Sequence, residues 1–167
     1  MSITELAPAK LNLTLDVGAR RPDGYHEITS VMQSAALYDV VTLETIETDD
    51  IVVECPGTDL PTGPDNLAWK AADVFFQETN IPHTGIFIRL EKKIPSQAGL
   101  GGGSSDAAAV LRGMRRLFST NVSDEALETM AARVGSDVPY CVRGGTALAG
   151  ANGLPLFRRY LCAGSLL

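Results

Sequence analysis

Pro95-Ser96-Gln97-Ala98-Gly99-Leu100-Gly101-Gly102-Gly103-Ser104-Ser105-Asp106 places four glycines within the five positions 99–103 and follows them with two serines. A helical pattern begins at once. Ala107, Val110, Leu111, Met114, Leu117 and Phe118 recur at the spacing of one helix face. Ser104 or Ser105 is the expected N-cap. A glycine loop feeding a helix start suits an anion, because glycine permits close backbone approach and positive φ. The free N–H groups of the first helical turn and the helix dipole then favour negative charge, and phosphate is the expected guest. No Gly-Lys-Ser/Thr follows, which excludes a Walker A loop. The glycine spacing also departs from the dinucleotide-binding fingerprint.

The residues upstream supply a strand into this loop. Gly85 to Glu91 alternates, with Ile86, Ile88 and Leu90 on one face. Strand, glycine loop and helix in that order is the context a phosphate site needs. Lys92-Lys93, between strand and loop, reads as a solvated basic edge, as do Arg20-Arg21 and Arg115-Arg116.

Nearer the N-terminus, Ala9 to Val17 alternates cleanly. Ala9, Leu11, Leu13, Leu15 and Val17 form the expected buried face of a strand, and Lys10, Asn12, Thr14 and Asp16 the solvent face. Lys10 and Asn12 therefore project from the same side. Arg20 to Gly24 carries turn chemistry, with Tyr25-His26 just beyond it, an aromatic and an imidazole able to stack on and hydrogen-bond a ring or, equally, a tyrosine that caps the core and a histidine in water. Glu27 to Leu37 and Val40 to Ile46 read as two strands joined by a turn at Tyr38-Asp39, and Ile51 to Glu54 as another. A Pro/Gly loop follows. Asp65-Asn66 starts a helix with Leu67, Ala71, Val74 and Phe75 inward and Trp69 off the stripe.

Beyond the central helix, a further helix starts near Ser123, with Leu127, Met130, Ala131 and Val134 inward and Gly135 as its stop. In Gly135-Ser136-Asp137-Val138-Pro139, Asp137 has the local chemistry of an N-cap ahead of a first-turn proline. Gly144 to Ala149 reads as a closing strand. Residues 151–167 have weak periodicity.

A chain of 167 residues buries about two-thirds of its unfolded surface and holds a real core. Its net charge of −6 argues against an extended nucleic-acid footprint. Three cysteines without paired spacing fit a reduced, cytoplasmic setting. There is no apolar run of membrane-spanning length and no signal-peptide pattern.

Three separated stretches converge on one resemblance. Pro8-Ala9-Lys10-Leu11-Asn12-Leu13, Pro95 to Ser105 and Gly135 to Pro139 resemble the galactokinase, homoserine kinase and mevalonate kinase (GHMP) superfamily. Arg21 to His26 and the triple glycine resemble a branch of it whose substrate is a cytidine diphosphate-linked methylerythritol of the non-mevalonate isoprenoid pathway. The resemblance spans about Ala7 to Ala149 and implies an α+β fold like ribosomal protein S5 domain 2, a mixed sheet with helices packed on it. It implies a small-molecule kinase with ATP as donor and Mg²⁺ as companion, acting on the 2-hydroxyl of that substrate. By this pattern Asp137 is the catalytic base and Lys10 its partner. Pro95, Ser96, Gln97, Ala98, Gly99, Leu100, Gly101, Gly102, Gly103, Ser104 and Ser105 wrap the ATP phosphates, Asn66 lies near the adenine, and Asn12, Tyr25 and His26 line the substrate side. Metal ligands are left unassigned. Residues 1–150 are expected to form the N-terminal, ATP-binding and catalytic domain. Residues 151–167 are expected to be a divergent tail, and the superfamily's C-terminal domain is expected to be absent. That departure leaves open a nucleotide-binding portion without turnover, a kinase for another small alcohol, and self-association through exposed apolar surface.

Overall fold

The computed structural model of the chain describes residues 1–20, 26–79, 81, 85–149 and 155–157. Eleven elements follow in order: β1 (Ser2–Asn12), β2 (Asp16–Arg20), β3 (His26–Ile46), β4 (Ile51–Glu54), α1 (Leu67–Thr79), β5 (Gly85–Glu91), α2 (Gly102–Leu117), α3 (Asp124–Val134), α4 (Val138–Arg143), β6 (Thr146–Ala149) and β7 (Pro155–Phe157). The strands make one mixed sheet. β3 is its hub, pairing antiparallel with β1, β2, β5 and β6; β4 runs parallel to β5, and β7 pairs onto β6. This is the expected α+β architecture. The core forms where α1 and α2 lie on the sheet face bearing Ala7, Val41, Leu43, Ile86, Ile88 and Leu90, with α3 and α4 packed around them.

Several expectations hold. Strands Ile51–Glu54 and Gly85–Glu91 and the start of α3 at Ser123 lie where patterning places them, and Ser123 Oγ accepts the Ala126 amide at 3.2 Å. Asn66 Oδ1 accepts from Ala68 N at 2.8 Å at the head of α1, and Trp69 Nε1 donates to the Ile51 carbonyl at 3.1 Å.

Others are corrected. There is no turn at Tyr38-Asp39: β3 runs unbroken through it, with an irregular register against β1 between Pro8 and Lys10, and Asp39 is fully buried. The first stretch is not one half-buried strand: Ala9 is buried as expected, but from Leu11 to Val17 the apolar and the polar positions alike are exposed. β1 ends at Asn12 and β2 begins at Asp16, so Leu11, Leu13, Leu15 and Val17 are exposed while Lys10 is buried with Ala7 and Ala9. The irregular register between Pro8 and Lys10 lies where Ala9 and Lys10, adjacent in sequence, are both buried beside α2. Lys92 is likewise no solvated edge; its side chain is 8% exposed.

Candidate active site

The glycine loop opens directly onto α2. Its helix starts at Gly102, one turn earlier than a serine cap would place it. Gly101 sits at the cap position with φ +68°, and no side chain caps the helix. Ser105 instead turns inward and donates its Oγ proton to the Pro8 carbonyl at 2.7 Å, locking α2 to β1. The first-turn amides of α2 are therefore offered to whatever occupies the loop. Gln97, Gly99 and Gly101 all have left-handed φ. Left-handed backbone at every second position is the alternation that turns successive amides to one side as an anion nest.

The loop walls a cleft of about 460 Å³. Pro95 through Ser104 line it, and so do Lys10, Asn66, Lys92, Asp106 and Asp137. Of the expected nucleotide residues, Ser105 alone is withdrawn, being wholly buried. Asn66 lines the cleft, but its amide nitrogen donates to the Pro61 carbonyl at 2.7 Å while its oxygen caps α1, so it shapes the wall.

At the cleft, the Lys10 ammonium lies 3.1 Å from Asp137 Oδ2 and donates to Asn12 Oδ1 at 2.6 Å. Asn12 Nδ2 in turn donates to Ser30 Oγ at 2.7 Å, and Ser30 to the Thr14 carbonyl at 2.6 Å, so the Asn12 amide is oriented from behind. Asp137 occupies the cap position of α4, but its backbone is helical and its side chain caps nothing. Its carboxylate is given to Lys10 and remains about a third exposed, where a substrate hydroxyl could reach it. The local capping reading thus fails, and the charge pair takes its place. Lys10 N donates to the Leu100 carbonyl at 2.9 Å, which ties the strand bearing the ammonium to the loop bearing the amides.

Arg112, on α2, braces the same three elements from below. It donates to the Cys141 carbonyl at 2.9 Å and the Leu6 carbonyl at 2.8 Å and pairs with Glu5. Cys141, behind Asp137, is buried and its thiol is pushed up to about 12, so it is no nucleophile. Tyr25 lies outside the described residues. His26 opens β3, and its side chain lies outside them too.

Three residues of the site escaped sequence reading: Asp39, Lys92 and Asp106. The Lys92 ammonium bridges Asp39 Oδ2 and Asp106 Oδ2. Asp106 carried a signal, since it stands one turn before Val110 on a helix face otherwise small and apolar. Asp39 and Lys92 carried none, because each stands where a turn or a strand end is ordinarily wet.

Residues 66–145 match the model of the GHMP kinases N terminal domain. The 4-diphosphocytidyl-2-C-methyl-D-erythritol kinase of Caldicellulosiruptor saccharolyticus is 47% identical over 142 residues, 85% of this chain and 49% of its own length. The enzyme of that name from Bacillus subtilis is 46% identical over 153 residues, 92% of this chain and 53% of its own length. A crystal structure of 4-(cytidine 5'-diphospho)-2C-methyl-D-erythritol kinase superposes with a TM-score of 0.78 at 38% identity, over 94% of this chain and 55% of that one. A homoserine kinase from Cytophaga hutchinsonii shares the fold, with a TM-score of 0.70 at 21% identity over 89% of this chain and 48% of that one. The chain spans about half the length of the curated relatives it matches.

Proposed function

Because this chain carries the N-terminal domain of the GHMP kinases, we propose that it provides the ATP-binding and catalytic half of a small-molecule kinase acting on the 2-hydroxyl of 4-diphosphocytidyl-2-C-methyl-D-erythritol. The observation that carries the reading is the Lys10–Asp137 pair at the mouth of a cleft walled by open helix-terminal amides. An alcohol is a poor nucleophile until its proton has a destination, and the part-exposed Asp137 carboxylate is that destination. The Lys10 ammonium, paired with Asp137 at 3.1 Å, holds the carboxylate in place and offsets charge growing on the reacting oxygens. The amides of residues 99–104 hold the phosphates in place, which is most of what phosphoryl transfer asks of a protein. Asn12, Tyr25 and His26 are assigned to the substrate side, with Asn12 held in place by Ser30.

Mg²⁺ is the companion expected of ATP. Among the described residues no three His, Cys, Asp or Glu side chains cluster to hold a metal. That fits an ion carried chiefly by the phosphates and by water, as Mg²⁺ commonly is. When bound, it neutralises charge between the phosphates. We assign residues 1–150 to the domain that does this work. No described helix is long and apolar enough to cross a membrane, and the acidic balance and unpaired cysteine spacing support a cytoplasmic setting.

The test is ADP release with the cytidyl substrate. Asp137→Asn keeps the shape and loses the base, and turnover should fall by about two to four orders of magnitude with ATP affinity little changed. An undiminished rate would remove Asp137 from the role.

A further inference from the structure

Beneath the glycine loop lies a charge cluster that the proposed reaction leaves unused. Asp39 on β3, Lys92 just after β5 and Asp106 on α2 have side chains 0%, 8% and 4% exposed. The Lys92 ammonium donates to one oxygen of each carboxylate. The second oxygen of Asp39 accepts the amides of Lys93 and Ile94, the latter at 2.8 Å. The segment entering the loop is thus fastened to β3 and, through Lys92, to the helix leaving the loop. Asp106 Oδ1 is different: it is buried and has no hydrogen-bond partner, although Asp106 lines the cleft.

One ammonium against two carboxylates leaves an excess negative charge when all three are ionised. Asp106 is the fifth residue of α2, about one turn below the amides that would receive the phosphates. In a dry site that charge opposes an incoming polyanion. The other groups facing the cluster offer no relief. Lys10 on β1 is matched by Asp137 ahead of α4. Cys141 on α4 and Cys55 after β4 are both pushed up by burial and stay neutral. Both oxygens of Asp39 already have donors, which leaves Asp106 Oδ1 as the position open to a proton.

Resting on the reading that this cleft takes ATP, we propose that Asp106 is a proton-linked positioning residue: with Lys92 and Asp39 it clamps the two ends of the glycine loop, and Oδ1 takes up a proton as the phosphates settle on the helix above it. Burial supports this by pushing Asp106 up to about 7 against the pull of the Lys92 ammonium, so the proton is available at neutral pH.

Calorimetric titration of the parent chain and of Asp106→Asn with ATP in the presence of Mg²⁺ tests the idea. At about pH 8 the terminal phosphate, whose last pKa is about 6, has almost no proton to exchange. The parent should then take up a fraction of a proton on binding, read from the dependence of the binding enthalpy on buffer ionisation, and Asp106→Asn should take up none. Relative to the variant, the parent's dissociation constant should rise by about three- to tenfold between roughly pH 6.5 and pH 8. Absence of ATP binding by the parent overturns this proposal together with the nucleotide reading. Binding without proton uptake, or with parallel pH curves for the two proteins, overturns this proposal alone. Should the variant fail to fold, the proton count of the parent decides.

Discussion

Gly101 meets two demands that no other residue satisfies together. Its φ of +68° lies in the left-handed region, and a Cβ there would stand 2.7 Å from Cγ of Lys10. The first demand costs an ordinary residue about 1–2 kcal/mol. The second would displace the ammonium stem from Asp137 and Asn12. Gly101→Ala should therefore lower stability by about 1–3 kcal/mol in urea unfolding and weaken ATP binding at least about tenfold. Unchanged ATP affinity in a folded variant would show that Lys10 and the loop are not coupled through this contact. At this scale the sequence was most legible where a motif names a residue. Lys10, Asp137 and the loop came from separated stretches matching one pattern, whereas local chemistry alone favoured a cap at Asp137 and a wet lysine at position 10. Local preferences could not weigh an ion-pair partner lying more than a hundred positions away.

Helix α2 approaches the sheet most closely at Gly113, where a Cβ would lie 2.2 Å from Cδ1 of the buried Leu43 and 3.3 Å from Cγ of Glu5. Helix propensity alone would make Gly113→Ala stabilising by about 1 kcal/mol. The overlap opposes it, because Leu43 is wholly buried and has no free space to move into; overpacking of this kind costs about 1–3 kcal/mol. The clash should win, giving a net loss of about 1 kcal/mol or more by chemical denaturation, and a more stable variant would refute the tight seating. This seating matters for the site because α2 carries the amide cradle at one end and Arg112 at the other. Periodicity revealed α1, α2, α3 and β5 because each has a single buried face. It failed for β3, where one long strand pairs with different neighbours along its length and a short polar pair mimics a turn.

Over the whole molecule, Asp106 leaves a mark on stability that pH should reveal. Its carboxyl is raised from the ordinary range to about 7, burial being the main cause. Between about pH 4 and pH 7 the native state holds a proton that the unfolded chain, with an ordinary Asp near 3.9, has released. Stability must then fall as pH rises through that window, with the full loss present above it. The difference between the parent and Asp106→Asn isolates this effect from every other group. The parent should lose on the order of 1–3 kcal/mol relative to the variant between about pH 4.5 and pH 8, measured by urea unfolding at each pH. A difference independent of pH would place the Asp106 carboxyl back in the ordinary range. The amino-acid sequence by itself determined α1, α2, α3, the strands at Ile51–Glu54 and Gly85–Glu91, the loop chemistry and the family pattern, because glycine runs, caps and apolar periods act over a few neighbouring residues. That Lys10 is buried while Leu11 to Val17 face outward, that Asp39 and Lys92 leave water, and that Asp106 keeps an unmatched oxygen were decided only by the tertiary structure. Desolvation and charge pairing depend on what other segments bring alongside, and no local stretch contains its own partners.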